Sequence, residues 1–163
     1  MSGFLDYINQ LPDVVQDGGG DYVAVRPSSP FIPTIRQLMT RAGLDYQEPD
    51  EELHCTLAYS TRRFPHTVQP EKTYAAVATH IEHWTTRGGN KTAVVLLLKS
   101  KDLDERHEEF IQAGALYDFP DYRPHITLAY YRDDTPPPAI SFEPFALVLN
   151  GEYHEDLDVD RTK

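Results

Sequence analysis

One six-residue pattern occurs twice in this chain. His54-Cys55-Thr56-Leu57-Ala58-Tyr59 and His125-Ile126-Thr127-Leu128-Ala129-Tyr130 agree at five of six positions, as His-x-Thr-Leu-Ala-Tyr. The segments before them agree in order as well. Tyr22 to Arg26 has the pattern of a short strand after a flexible turn at Asp17-Gly18-Gly19-Gly20, and Ser29-Pro30 follows as an N-cap with proline in the first turn. Phe31, Ile35, Leu38, Met39 and Ala42 then share one helical face, with Gly43 placed to end the helix. In the second half Ala93 to Leu98 has the continuous apolar character of a central strand, Asp102 and Glu105 resemble a capping box, Leu103, His107, Phe110 and Ile111 share a face, and Gly114 supplies the stop. The helix start precedes the motif by 25 residues in one half (Ser29 to His54) and by 23 in the other (Asp102 to His125). Further strands are expected over 73–84 and 140–150, the second after a stiff Thr135-Pro136-Pro137-Pro138 connector and ending in a turn at Asn150-Gly151.

This order, strand, helix, His-strand, strand, given twice, predicts an α+β fold. Two lobes related by a pseudo-twofold axis, each a small, mostly antiparallel sheet with flanking helices, would surround a central cleft. No linker rich in glycine and serine separates them, so residues 1–163 are expected to form a single bilobal domain with an internal repeat over about 21–85 and 91–157. A chain of 163 residues suits one core.

Composition limits the partners. Fifteen Lys and Arg against twenty-six Asp and Glu leave a net charge of -11, which disfavours a grip on long nucleic acid through phosphate neutralisation. Forty per cent apolar residues and ten tyrosines separate the chain from disordered acidic tails. Cys55 is the single cysteine, and the N-terminus lacks the basic start and apolar run of a secretory signal, so a cytoplasmic location is expected. The longest apolar stretch, Ala93 to Leu98, is far short of the roughly twenty residues that span a bilayer, so no membrane partner is expected.

Side chains alternate along a strand, so His54 and Thr56 point one way, as do His125 and Thr127, while Cys55, Leu57, Ile126 and Leu128 face the core. Strict alternation also puts Tyr59 and Tyr130 on the core side. Two histidines across a cleft suit phosphodiester chemistry: one imidazole deprotonates the attacking oxygen, the other protonates the leaving oxygen, and the threonine hydroxyls donate to the non-bridging oxygens. The scheme asks for no metal and no cofactor. It leaves open which histidine is the base.

These paired motifs resemble the 2H phosphoesterase superfamily, named for two His-x-Ser/Thr motifs in one domain, and the likeness spans most of the chain. It implies metal-independent cleavage of nucleotide phosphoesters, such as 2′,3′-cyclic phosphates, 2′,5′-oligoadenylates or related RNA ends, with His54, Thr56, His125 and Thr127 as the catalytic set. The stretch from Thr73 onward, with Trp84, Gly88-Gly89-Asn90-Lys91, Ala93 to Leu98, Asp118-Phe119 and Tyr122-Arg123-Pro124-His125, is most similar to the phage anti-CBASS nuclease family. That resemblance implies a phage protein hydrolysing cyclic di- and trinucleotide signals of bacterial immunity in the host cytoplasm. Ring opening would pass through attack of a 2′-hydroxyl on the neighbouring 3′-phosphate. The small-molecule partner would be a cyclic oligonucleotide or other nucleotide; a non-cleaving nucleotide sponge is the reading from a different class.

Four more residues are candidates for ligand contact. Trp84 could stack on a base or pack at a sheet edge; Tyr22 could cover the ligand or fill an amphipathic strand. Arg123 could clamp a phosphate or pair with Asp118 or Asp121, and Glu152 could read a base amino group or stand solvated. His80-x-x-His83 places its rings on opposite strand faces and is not expected to bind metal, and His66 and His154 have no repeat partner. His107 is expected in the core or at its boundary, and Cys55 buried and turned away from His54.

Overall fold

The structure is a computed structural model and describes residues 19–86, 89–117, 119 and 121–158. Eight regular elements follow in order: β1 (Gly19–Pro27), α1 (Ile32–Arg41), β2 (Cys55–Ser60), β3 (Tyr74–Thr85), β4 (Thr92–Lys99), α2 (Lys101–Gln112), β5 (His125–Tyr131) and β6 (Phe145–Asp158). The chain is α+β, as the element order predicts.

Ser29-Pro30 opens a single 3-10 turn, and the α-helix proper starts at Ile32 with Pro33 in its first turn, where its missing N–H costs nothing. Ile35, Leu38 and Met39 are buried, and Gly43 ends the helix at φ +71°. The second helix begins earlier than the Asp102/Glu105 pattern suggests. Ser100 is its cap: the hydroxyl accepts the Leu103 N–H at 3.0 Å and donates to Ala75 O at 2.6 Å, while Asp102 takes the Ala75 N–H at 2.9 Å. Ser100 holds this place because β4 ends at Lys99, leaving it extended one residue before the first turn.

All ladders are antiparallel, and they build one six-stranded sheet of order β2-β1-β6-β3-β4-β5 rather than two small ones. The last strand of each sequence half joins the other half: β3 pairs with β4, and β6 pairs with β1. Connection length explains the first exchange, since β3 and β4 are joined by a short turn in which Thr86 N–H donates to Lys91 O and Gly89 takes φ +74°. Pairing of Tyr74 to Ala78 with Leu149 to Phe145 closes the middle of the sheet.

Two glycine segments differ from expectation. Asn150-Gly151 is not a turn: β6 runs through it, with Gly151 at φ +67° facing the register shift between Ala24 and Arg26, as a left-handed bulge residue does. Gly19 and Gly20 belong to β1, and a Cβ on Gly20 would lie 2.1 Å from Ser60 O, so that pairing requires glycine. Asp17 and Gly18 of the expected turn lie outside the described residues.

Alternate residues of every strand, including Val23, Val25, Val94, Leu96, Leu98, Leu147 and Leu149, form one core with both helices. Burying such side chains contributes about 1.5–3 kcal/mol each before entropy is subtracted. On the opposite face β4 presents Ala93, Val95 and Leu97 to Trp84, so its six apolar residues serve both sides. Although β2 and β5 are the outermost strands, their starts meet. The Tyr122 hydroxyl donates to Thr56 O at 2.7 Å, and the backbone of His125 hydrogen-bonds the Cys55 thiol. No helix among the described residues is long and apolar enough to cross a membrane.

Candidate active site

Each His-x-Thr-Leu-Ala-Tyr strand contains the same irregularity. Opposite β2 the register passes from Val23–Ala58 to Ala24–Thr56, skipping Leu57; opposite β5 it passes from Val94–Ala129 to Val95–Thr127, skipping Leu128. One extra residue in a strand reverses the alternation beyond it. Both Leu-Ala pairs are therefore buried, and Tyr59 and Tyr130, expected on the core side, emerge on the face that carries the histidines and threonines, 43 and 41 % exposed. Composition gives no sign of a bulge, so strict alternation misplaces both rings.

The histidines are held alike. His54 Nδ1 donates to Glu52 O at 2.7 Å and His125 Nδ1 donates to Arg123 O at 2.9 Å; a carbonyl can only accept, so Nδ1 carries the hydrogen in both rings. Nε2 is left without a partner among the described residues and can take or give a proton. The environments differ. Burial lowers the pKa of His125, the Arg123 carbonyl works against that, and the positive charges of His54 and Arg123 lower it further, for a net displacement below the usual imidazole value.

Around His54, the Tyr22 hydroxyl meets Thr56 Oγ1 at 2.8 Å, and its ring stands edge-on to His54 and Tyr59 at 6.2 and 6.1 Å. Burial foremost holds the Tyr22 phenol well above its ordinary pKa, so it remains a hydrogen-bond donor. A groove of about 350 Å³ runs past His54, Tyr22, Tyr59, Tyr153 and Glu155. Arg26 lies over the Tyr153 ring at 4.3 Å. Tyr22 thus stands beside the motif of its own half, not across from it in the opposite lobe.

Around His125, Trp84 packs ring to ring at 4.5 Å and donates Nε1–H to Glu82 at 2.8 Å. Arg123 lies over Trp84 at 5.3 Å and donates to the same carboxylate at 2.7 Å, as does His80 Nε2 at 2.7 Å. These donors, Arg123 first, hold the Glu82 carboxyl down at about 2. Arg123 thus forms an ion pair, but with Glu82, 41 residues away, rather than with Asp121; Asp118 lies outside the described residues. Sequence reading missed Glu82. Its signal is the i, i+2, i+4 set His80, Glu82, Trp84 on one strand face.

Glu152 is not brought to this site. It is 2 % exposed on the core side of β6, where Arg106 donates to both oxygens at 2.9 and 2.8 Å and Tyr74 hydroxyl and Gln69 N–H complete the set. Burial raises its pKa and these donors more than reverse that, leaving it below the ordinary value. A carboxylate fully occupied by protein donors cannot also read a base. The bulge at Gly151 again defeats simple alternation.

His107 is buried, donating Nδ1–H to Leu57 O at 2.8 Å and stacked on Tyr122 at 4.0 Å, and Cys55 is buried with its thiol pushed up to about 12. Among the described residues one group, Asp21, His66 and His154, has metal-ligating atoms within 4.8 Å of one another. Its carboxylate already accepts from His154 at 2.7 Å, Arg63 at 3.2 Å and Phe64 N–H at 3.0 Å, so a guanidinium supplies the positive charge there.

One antiparallel sheet thus brings the starts of the two His-x-Thr strands together. The chain belongs to the Acb1 family: the family's sequence profile, described as "Anti-CBASS protein Acb1", matches residues 19–163. Relatives with that same description include those of Yersinia phage phiR1-RT, 34 % identical over 141 residues covering 86 % of this chain and 90 % of the relative, and of Enterobacteria phage T4, 33 % identical over 142 residues covering 86 and 90 %. A third, from Acinetobacter phage Ac42, is 33 % identical over 141 residues, covering 86 and 93 %. A solved structure described as "Crystal structure of phosphoesterase" is 18 % identical, with 82 % of each chain covered and a TM-score of 0.37.

Proposed function

We propose that the chain is a metal-independent phosphodiesterase that opens cyclic oligonucleotide signals, acting in the host cytoplasm as a phage protein that evades CBASS. The observation that carries this reading is the matched pair of histidines, each with Nδ1–H locked on a carbonyl two residues before it and with no Nε2 partner among the described residues. Binding alone needs no such pairing. His125, whose lowered pKa keeps it neutral, takes the proton from the 2′-hydroxyl. The 2′-oxygen attacks phosphorus, the P–O5′ bond breaks, and His54 delivers its Nε2 proton to O5′. A 2′,3′-cyclic phosphate and a free 5′-hydroxyl result; water can resolve the former with the roles reversed. Thr56, oriented by Tyr22, and Thr127 donate to the non-bridging oxygens. Each proton in this scheme has a side chain to carry it.

The same reading treats the chain as one bilobal domain with a pseudo-twofold repeat over about 21–85 and 91–157. The strand order supports it: exchanging β1, β2, β3 with β4, β5, β6 leaves the sheet order unchanged when read from the other edge. Trp84 and Arg123 beside His125, and Tyr22 beside His54, are the proposed ligand contacts; Glu152 is not among them.

The test is a panel of 3′,3′-cyclic dinucleotides and a cyclic trinucleotide, linear 2′,5′-oligoadenylate and nucleoside 2′,3′-cyclic phosphate, incubated in EDTA and resolved by chromatography. Opened cyclic substrate is expected. Turnover confined to the linear or nucleoside substrates would move the assignment to RNA-end chemistry. Intact ligand recovered after denaturation would leave a nucleotide sponge.

A further inference from the structure

Helix α2 turns more than one face to the protein. Leu103, Arg106 and Phe110 go into the interior. Asp104, His107, Glu108 and Ile111, at i, i+3, i+4 and i+7, share a second face, over which Tyr117, Phe119 and Tyr122 return. Between them lies a cavity of about 420 Å³, which shares no lining residue with the groove beside His54.

Rings form one side of this cavity. His107 stacks on Tyr122 at 4.0 Å and meets Tyr117 edge-on at 4.6 Å, and Phe119, 57 % exposed, stands edge-on to Tyr117 at 5.5 Å. Carboxylates of Asp104, Glu108 and Asp121 form the rim, and no Lys or Arg lines it. The ion pairs of α2 run along another face, from Lys101 to Glu105 and from Arg106 to Glu109, while Arg123 is given to Glu82. Burial raises the Asp104 carboxyl above its ordinary value and nearby His107 works against that, as expected of a carboxylate with no basic side chain beside it.

His107 shows what the cavity lacks. It is 7 % exposed, and Nδ1 donates its hydrogen to Leu57 O at 2.8 Å, so the neutral ring offers a lone pair at Nε2. That atom has no partner among the described residues. Since no described side-chain nitrogen or oxygen is both sealed from solvent and unpartnered, Nε2 reaches the cavity that its ring lines. A buried acceptor calls for a donor from the ligand, and a rim of carboxylates calls for a cation. A metal ion does not suit the arrangement: among the described residues the group whose ligating atoms converge within 4.8 Å is Asp21, His66 and His154, not this one. An organic cation suits it, because its N–H groups can reach separate acceptors while its carbon chain lies against the rings. Asp104 and Glu108 are four residues apart, about 6 Å along the helix, close to the spacing of amines joined by three or four methylenes.

We infer that this cavity is a second ligand site, for a linear polyamine whose ammonium groups meet Asp104, Glu108 and Asp121 and donate to His107 Nε2. The His107 ring and the Tyr122 hydroxyl also hold the carbonyls of Leu57 and Thr56, so the occupant lies behind the strand that carries Thr56.

Spermidine is the probe, and no nucleotide is needed. Isothermal titration at physiological ionic strength is expected to show saturable binding, which the paired substitution Asp104→Asn/Glu108→Gln, at two exposed positions, weakens about tenfold or more. Phe119→Ala should weaken it about threefold to tenfold by removing one ring. In ¹⁵N spectra of the wild-type chain the His107 Nε2 resonance should shift on saturation, which a diffuse ion cloud around an acidic protein does not produce. Equal displacement of spermidine by magnesium ions at matched ionic strength would overturn the site. So would unchanged affinity in both variants with native circular dichroism. Arginine binding more tightly than spermidine, and lost in the same variants, would overturn the polyamine and put a guanidinium ligand in its place.

Discussion

The two halves of the site hold the same kinds of group in different arrangements. Beside Thr56 and Ala24 the sheet row continues to Tyr153; beside Thr127 and Val95 it continues to Glu82. One row further on, Glu155 faces Tyr22 where Trp84 faces Ala93. Aromatic and carboxylate have exchanged places between the halves. In the second half the consequence is a closed cluster, with Glu82 tying Arg123, Trp84 and His80 against His125. In the first, Arg26 lies on Tyr153 and the groove beside His54 remains open. Identical backbone locks on two half-buried histidines thus coexist with different neighbours, a Trp84-Glu82-Arg123 cluster on one ring and an open groove beside the other, and the proposed split into acid and base rests on that difference.

The most severe way to break this division of labour is to remove either ring. His54→Ala and His125→Ala are each expected to lower kcat/KM by about 10²–10⁴, the usual contribution of a positioned acid or base, measured by chromatographic turnover of a cyclic dinucleotide. A variant that kept full activity would show that its histidine has no proton to move. Next in size is a change that should leave the chemistry untouched. Glu152 occupies, on the core side, the ladder position that Ile81 holds in the other half, and it is the buried one of two carboxylate partners of Arg106, the other being the exposed Glu109. Glu152→Ala should cost up to about 3 kcal/mol of unfolding free energy by leaving the buried guanidinium with only Glu109 and Thr67 O, while kcat and KM of the folded fraction stay at wild-type values. A large KM increase without loss of stability would return Glu152 to the ligand site.

Tyr22→Phe is a smaller perturbation, confined to the open half. It removes the hydroxyl partner of Thr56 and keeps the ring beside His54 and Tyr59. Loss of one such hydrogen bond is worth about 0.5–1.5 kcal/mol, so kcat should fall by roughly twofold to tenfold with KM nearly unchanged. An effect on KM alone would identify Tyr22 as a binding surface and not as the group that orients Thr56.

What the sequence made legible, and what it hid, follows one physical line. Periodicity and the repeat locate the helices, the strands and the four catalytic candidates because those depend on residue types along a short stretch. Which strand joins which half depends on connection length: the brief turn between β3 and β4 binds Trp84 and Glu82 to His125 instead of to the half that precedes them. Bulges are the harder case. Leu57, Leu128 and Gly151 each add a residue to a ladder, and every side chain beyond them changes face, which moved Tyr59 and Tyr130 to the site and Glu152 away from it. Ion pairing across long sequence distance, as between Arg123 and Glu82, leaves little local signature beyond the shared strand face of His80, Glu82 and Trp84.

The finest test of the comparison is a titration. If His125 is the base, activity requires its neutral form. Its pKa lies below the usual 6.5, so the acid limb of kcat/KM should fall only as pH drops through that lowered value. Burial is the first cause of the lowering and the Arg123 charge the last, and this ranking orders the variants. Trp84→Ala uncovers the ring and should move the acid limb up towards the ordinary imidazole value. Arg123→Gln keeps the carbonyl that holds Nδ1 and leaves Trp84 against the ring, but removes the charge together with its Glu82 ion pair, so its limb should move in the same direction by less. The wild-type limb of a covered, cation-flanked base would then be the lowest of the three. Should both variants leave the limb in place, the titrating base is not His125, and the open half of the site, with His54, would have to supply it.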